Sequence, residues 1–414
     1  MEPVSILRAA MLLPGVVAAA LMVAPARADV VTDWNVITNS LVANDVGNNP
    51  RLRTLAMVHV AMSDAINTVQ NRYARVVATV PPAPGASAEA AAATAARQIL
   101  TQIYPQQKEK ARIEEAYAAS LKAIPDGPAK TQGIKLGMEV ADAVQADRAN
   151  DGTNDPDTYR PHAIPGVYVP TTPPIWEQYA RAKPWVFKSA GQFRPGPPPA
   201  LSSAEWARDY NEVKSLGGTK STARTAEQTE AVKFWGNVNF GGAWQAAARE
   251  LAMTKKMPLA ESARLFALLN MSLANAYIVN WEAKYTYNFW RPVTAIRNGD
   301  QDGNDATERD AGWTSFNPTP MHPEYPSQAT INATIASAIL ESVFGPVKAI
   351  PFTATDVRDP KQTRKFSSLA DMAEEQKNVR VWGGVHYTFA IRTSEDVGRK
   401  VAAYMIENTL KPAR

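Results

Sequence analysis

The sequence predicts an all-α fold, and three observations carry the prediction. Long segments repeat apolar residues at helical spacing on strong helix formers, and no segment shows sustained two-residue alternation. The chain has 414 residues, 45% of them apolar, which is enough for one large core or two domains. It contains no cysteine, so the fold stands on packing and needs no disulfides.

The first element reads as an export signal. Arg8 precedes the apolar run "AAMLLPGVVAAALMVAPARA", which ends in the small-residue pattern Ala26-Arg27-Ala28. Residues 1–28 are expected to be removed before Asp29, placing the protein in a bacterial periplasm or outside the cell. Pro14 and Pro25 interrupt the run, which makes it a poor membrane span, and no later segment is apolar enough to cross a bilayer. The formal charge is +4; without the segment, which carries Glu2, Arg8 and Arg27, it is +3. Lysines and arginines are scattered among nearly as many acids, which excludes the basic stripe of a nucleic-acid binder.

Residues 29–150 form an N-terminal helical half. "RLRTLAMVHVAMSDAINTVQ", "ASAEAAAATAARQILTQIY" and "GIKLGMEVADAVQADRAND" each carry helical periodicity. Residues 151–200 break it, with eleven prolines. They also hold Trp176, Tyr179, Trp185, Phe187 and Phe193, which a disordered linker would lack, so an ordered extended crossover is expected. Residues 201–414 form a C-terminal helical bundle, with helices expected near 203–216, 225–236, 241–254, 259–290, 328–344, 367–382 and 393–410. Within the loop "RNGDQDGNDATERDAGW", the run "DQDGND" lacks the alternating acids and the later glutamate of a calcium loop, and reads as a solvated turn of Asp and Asn.

Three stretches of the C-terminal half carry chemistry. In "WEAKYTYNFWRP", Lys284 and Arg291 are seven residues apart, which puts both on one face of a helix that Pro292 ends. Snorkelling side chains with exposed heads explain this stretch equally well. In "PEYPSQAT", Ser327 enters a helix whose first N–H groups, those of Gln328 and Ala329, lack partners and suit an anion; taken alone it is an ordinary serine cap. In "RVWGGVHYTFAIR", Arg380 and His386 are six apart, wrong for one helical face, but Gly383-Gly384 lets the chain break and turn both inward. Only His59, His162, His322 and His386 supply imidazoles. Together the stretches offer three cations, a helix start and an imidazole, a set suited to a tetrahedral oxyanion.

The order Lys-x6-Arg-Pro, Pro-Ser, Arg-x5-His resembles the signature shared by vanadium-dependent haloperoxidases and type 2 phosphatidic acid phosphatases. "DVVTDWN" and "LAMVHVAMSDAIN" are also similar to the N-terminal half of secreted bacterial haloperoxidase-like proteins. The resemblance implies two four-helix bundles with vanadate or phosphate held in the second. Lys284, Arg291 and Arg380 would bind equatorial oxygens, with the Ser327 hydroxyl and the Gln328 N–H as further donors. His386 would be the axial vanadium ligand of a peroxidase or the nucleophile of an acid phosphatase. Trp281 falls in the halide pocket and His322 at a second pocket histidine. Hydrogen peroxide and a halide, or a small phosphoester, would be the substrates; a non-catalytic oxyanion binder is the third reading. Departures from the pattern stand beside it. Ala329 replaces the acid–base histidine, Gln328 a small residue, Val379 a serine, and Ala390 an aspartate that often follows the histidine by four. Loss of the acid–base group predicts slow turnover with an intact anion site, unless His322 takes over proton transfer.

Overall fold

The computed structural model describes residues 29–43, 49–170, 172–237, 240–346, 348–355 and 363–413, and the expected export segment lies outside them. The N-terminal half holds α1 (Val30–Val42), α2 (Asn49–Gln70), α3 (Ala88–Ile103), α4 (Gln107–Lys122) and α5 (Pro128–Arg148). The C-terminal half holds α6 (Ala204–Leu216), α7 (Ala226–Asn237), α8 (Phe240–Thr254), α9 (Leu259–Tyr287), α10 (Pro292–Arg297), α11 (Gln328–Phe344), α12 (Leu369–Trp382) and α13 (Thr388–Asn408). Starts are set by local capping: Asp29, Ser87, Ser203 and Ser368 each accept a first-turn N–H of α1, α3, α6 and α12.

The axis of the molecule is α9. It is buried almost continuously from Ala260 to Lys284, as expected of a helix that is apolar all round. It packs on α2 of the first half and on α11 and α13 of the second. One apolar core therefore joins Val58 and Ile66 of α2, Leu265 to Val279 of α9, Ile335 of α11 and Val401 of α13.

Residues 151–200 hold two short 3-10 turns, Glu177–Arg181 and Ala190–Phe193, both packed on α9. The Trp185 N–H donates to Asn275 Oδ1 at 2.8 Å, and Arg194 pairs with Glu282. Phe187 and Phe193 meet Tyr404 edge-on, with ring centroids 5.4 and 5.5 Å away. Apolar rings anchor what the prolines keep extended.

Three features depart from the sequence reading. An antiparallel hairpin, β1 (Lys348–Thr355) and β2 (Thr363–Ser368), precedes α12. Pro351 disguised its first strand, because proline argues against a strand except at an edge, and a two-stranded ribbon is all edge. The second departure is that α9 stops at Tyr287, short of Trp290. Asn288 takes the left-handed conformation (φ 48°, ψ 41°) and its N–H closes onto the Lys284 carbonyl. Arg291 is therefore not on the helix of Lys284, and Pro292 opens α10 at its first position. Finally, Asp302 of the polar loop is not solvated. It is 8% exposed and accepts from Trp206 Nε1 (2.7 Å), Thr307 and the Asn304 N–H. No cluster of three or more metal-ligating side chains occurs among the described residues.

Candidate active site

Lys284 lies in the last turn of α9, and Arg291 follows in the extended segment before α10. His322 and Glu324 come from the loop before α11, whose first residues are Gln328 and Ala329. Arg380 lies in the last turn of α12, and His386 follows it past a glycine turn. Gly384 has φ +76°, and a Cβ there would lie 2.3 Å from the Gly217 carbonyl oxygen, so only glycine permits this crossing. The turn hands the Val385 and His386 N–H groups back to the Arg380 carbonyl (3.1 and 3.3 Å), bringing Arg380 and His386 to one place.

Lys284 is fully buried and donates to three carbonyls, those of Pro323 (2.8 Å), Glu324 (2.8 Å) and Pro326 (2.5 Å). Its three N–H bonds thus clamp the loop leading into α11. Arg291, also fully buried, donates Nε to the His322 carbonyl (2.9 Å) and Nη1 to the Val385 carbonyl (2.7 Å). Its Nη2 lies 2.9 Å from His322 Nδ1, and its Nη1 lies 3.4 Å from His386 Nε2. His322 Nδ1 also lies 3.2 Å from the Pro323 carbonyl oxygen, so it faces a donor in Arg291 and an acceptor in Pro323.

His386 is 2% exposed and its Nδ1 lies 2.6 Å from Glu324 Oε1. The Tyr387 N–H donates to the same oxygen at 3.2 Å, while Glu324 Oε2 is buried with no partner. Ser327 occupies the cap position of α11 yet makes no capping bond; its hydroxyl accepts from Thr330 Oγ1 at 3.0 Å. Its own N–H goes to Ser394 Oγ at 2.7 Å. The N–H groups of the first turn of α11 have no helical acceptor before them. Gln328 donates to Asn332 (2.6 Å) and leaves Oε1 unpaired. Ala329 is buried, presenting a methyl group where the resemblance expects an imidazole.

Trp281 is 1% exposed, stacks on Tyr277 at 3.9 Å and lies 4.8 Å from the His322 ring. A cavity of about 360 Å³ borders Arg291 and is also lined by Tyr168, Thr294, Arg297, Thr319 and Met321.

The electrostatics are lopsided. Lys284, Arg291 and Arg380 bring three cations against one acid, Glu324. Burial pushes Lys284 well below its usual value, helped by Arg291, and lowers Arg291 and Arg380 to about 10 and about 9. Burial, then Arg291 and Lys284, hold both His322 and His386 well below 6.5, so both rings are neutral. Burial raises Glu324 to about 7 against the pull of Arg291 and Lys284.

Glu324 is the residue that sequence reasoning missed, although it lies inside the stretch "PEYPSQAT". Its signal was a lone acid between two prolines, with no spacing rule tying it to a histidine 62 residues later.

Residues 264–413 match the family described as the VCPO second helical-bundle domain. The chain is similar to the vanadium chloroperoxidase of Curvularia inaequalis, 29% identical over 176 residues, covering 36% of this chain and 29% of that protein. In fold it is similar to a bacterial vanadium-dependent iodoperoxidase, with a TM-score of 0.77 at 22% identity over 93% of this chain and 97% of the other. It is also similar to a bacterial vanadium-dependent chloroperoxidase in its holo form, with a TM-score of 0.66 at 18% identity over 86% and 90% of the two chains. The resemblance to the vanadium haloperoxidase family read in the sequence therefore holds, by sequence in the second bundle and by fold over most of the chain.

Proposed function

We propose that this haloperoxidase-like protein is an exported enzyme that binds vanadate beside His386 and oxidises a halide with hydrogen peroxide. The observation that carries the reading is charge imbalance: three buried or half-buried cations share one acid. Buried polar atoms on Glu324 and Gln328 also lack partners. An oxyanion relieves the charge imbalance, since a buried net positive charge is costly; the two oxygens are acceptors and call for a donor instead.

The donor set fits vanadate. His386 is neutral, as a ligand must be, with Nε2 next to the Arg291 guanidinium. Arg291, Arg380 and the first N–H groups of α11 would supply charge and donors for the oxygens of the anion. Lys284 acts as a fixed charge and holds the loop, and Ser327 keeps its hydroxyl within reach of the helix start. Bound vanadate would supply Lewis acidity toward peroxide. His322 would be a polar neighbour of the bound anion, and Trp281 would wall the space beside it. With a methyl group at position 329 the expected acid–base imidazole is missing, so turnover is slow.

The test is vanadate titration and metal analysis of the purified chain, followed by halide-dependent peroxide consumption with iodide, bromide and chloride. One vanadate per chain and slow, vanadate-dependent oxidation of at least one halide are expected. Absence of vanadate binding would overturn the reading. Vanadate binding without halide oxidation, accompanied by phosphomonoester hydrolysis, would favour the acid phosphatase, for which His386 is equally placed as nucleophile.

A further inference from the structure

We propose that Glu324 is the positioning residue of this site: its carboxyl selects the His386 tautomer that leaves Nε2 bare toward the anion. The inference rests on the vanadate reading and deepens it, because nothing in the sequence pattern assigns an acid at this position.

The geometry decides the tautomer. Glu324 Oε1 receives the Tyr387 N–H at 3.2 Å and lies 2.6 Å from His386 Nδ1. As a carboxylate oxygen Oε1 accepts from both the Tyr387 N–H and His386 Nδ1–H, and Arg291 Nη1, which only donates, faces Nε2. The hydrogen of the neutral ring then sits on Nδ1 and the lone pair falls on Nε2. Arg291 Nη1 lies a long 3.4 Å from Nε2 and is bonded to the Val385 carbonyl at 2.7 Å. The lone pair is thereby left for a ligand.

The carboxyl is itself held from several sides. The Glu324 N–H donates to the Phe289 carbonyl at 2.8 Å, beside the left-handed end of α9. Lys284 clamps the carbonyls on either side of it and its own. Lys284 therefore serves the site chiefly by fixing the backbone that carries Glu324. Ala390, on α13, has no acid to offer His386, so in this chain the orienting carboxyl comes from the loop and not from the helix after the histidine.

The test uses the purified chain with 15N-labelled imidazoles; its four histidines make assignment by single substitution practicable. In the anion-free wild type, His386 should be the Nδ1–H tautomer, with Nε2 at an unprotonated shift. Glu324→Gln keeps an acceptor for Tyr387 and should preserve the tautomer; Glu324→Leu removes the acceptor and should populate Nε2–H. Calorimetric affinity for orthovanadate should fall about 10- to 100-fold in Glu324→Leu and stay near wild type or tighten in Glu324→Gln. A role of charge alone would instead tighten binding in both variants, and that result would overturn the proposal. So would an Nε2–H tautomer in the wild type, a measurement that needs no variant to fold. The tautomer is read without vanadate, so its failure is separable from failure of the vanadate reading, which the titration alone decides.

Discussion

The molecule buries two histidines beside arginines, one cluster shared between the halves and one within the second, and the two differ in how they are completed. In the shared cluster, His59 Nε2 of α2 meets Asn35 Nδ2 of α1 at 2.8 Å, Asn35 donates to Gln245 of α8 (2.8 Å), and Gln245 donates to Asn270 of α9 (2.7 Å). Arg249 caps the chain at Asn35 Oδ1 (2.5 Å), and the His59 ring stacks on Phe266. Carboxamides satisfy one another, and nothing is left for a ligand. In the second half, charges replace carboxamides, cations outnumber acids, and buried polar atoms of Glu324, Gln328, Asn280 and Tyr387 lack partners. A closed network stabilises a fold, whereas an open one with unbalanced charge is built for something that arrives later.

The largest expected effect tests the closed cluster. Burial first, and Arg249 second, lower the His59 pKa to about 3. The unfolded chain protonates His59 near 6.5, and the folded chain does not until about 3. Its contribution is therefore intact above 6.5 and is lost as pH falls from 6.5 toward 3, summing to on the order of 4 to 5 kcal/mol. Urea unfolding from pH 7 to 4 should show this acid limb, and His59→Gln should flatten it. An unchanged limb would mean that other groups carry the acid sensitivity.

The open cluster should respond in binding and not in stability. Arg380→Ala should weaken vanadate or phosphate binding by about 2 kcal/mol, some thirtyfold. Asn35→Ala should cost about 2 kcal/mol of unfolding free energy by stranding His59 and Gln245, with no change in anion affinity. Equal anion affinity in Arg380→Ala and wild type would erase the contrast between the clusters.

A smaller effect concerns position 329. Ala329→His adds an imidazole on the first turn of α11 and should raise halide-dependent turnover at least about tenfold. The neighbouring Gln328 side chain limits the gain, so Gln328→Gly is the companion change. A variant no faster than wild type would place proton transfer on another group. The smallest effect concerns Asn280, one turn before Lys284 and fully buried, with neither side-chain atom paired. Asn280→Leu should raise anion-free stability by about 1 kcal/mol, because an apolar replacement removes an unmet desolvation cost. A stability loss would show that Asn280 is satisfied in solution.

The sequence by itself determined what is local. Apolar spacing placed most helices, capping serines and aspartates set several of their starts, and the residues of the three C-terminal stretches lie in or beside one cluster because their order was legible. Tertiary structure decided what depends on partners distant in the chain. Arg291 left the helix of Lys284 because Asn288 turned left-handed, and the carbonyls that Lys284 and Arg291 hold come from loops 31 to 94 residues further on. His322 Nδ1 came to face both Arg291 and the Pro323 carbonyl. The acid facing His386 proved to be Glu324, 62 residues earlier, and not a side chain one turn beyond it at Ala390. Periodicity and capping are settled within a few residues of sequence, whereas the tautomer of a buried imidazole is settled by whichever acceptor the fold sets against it.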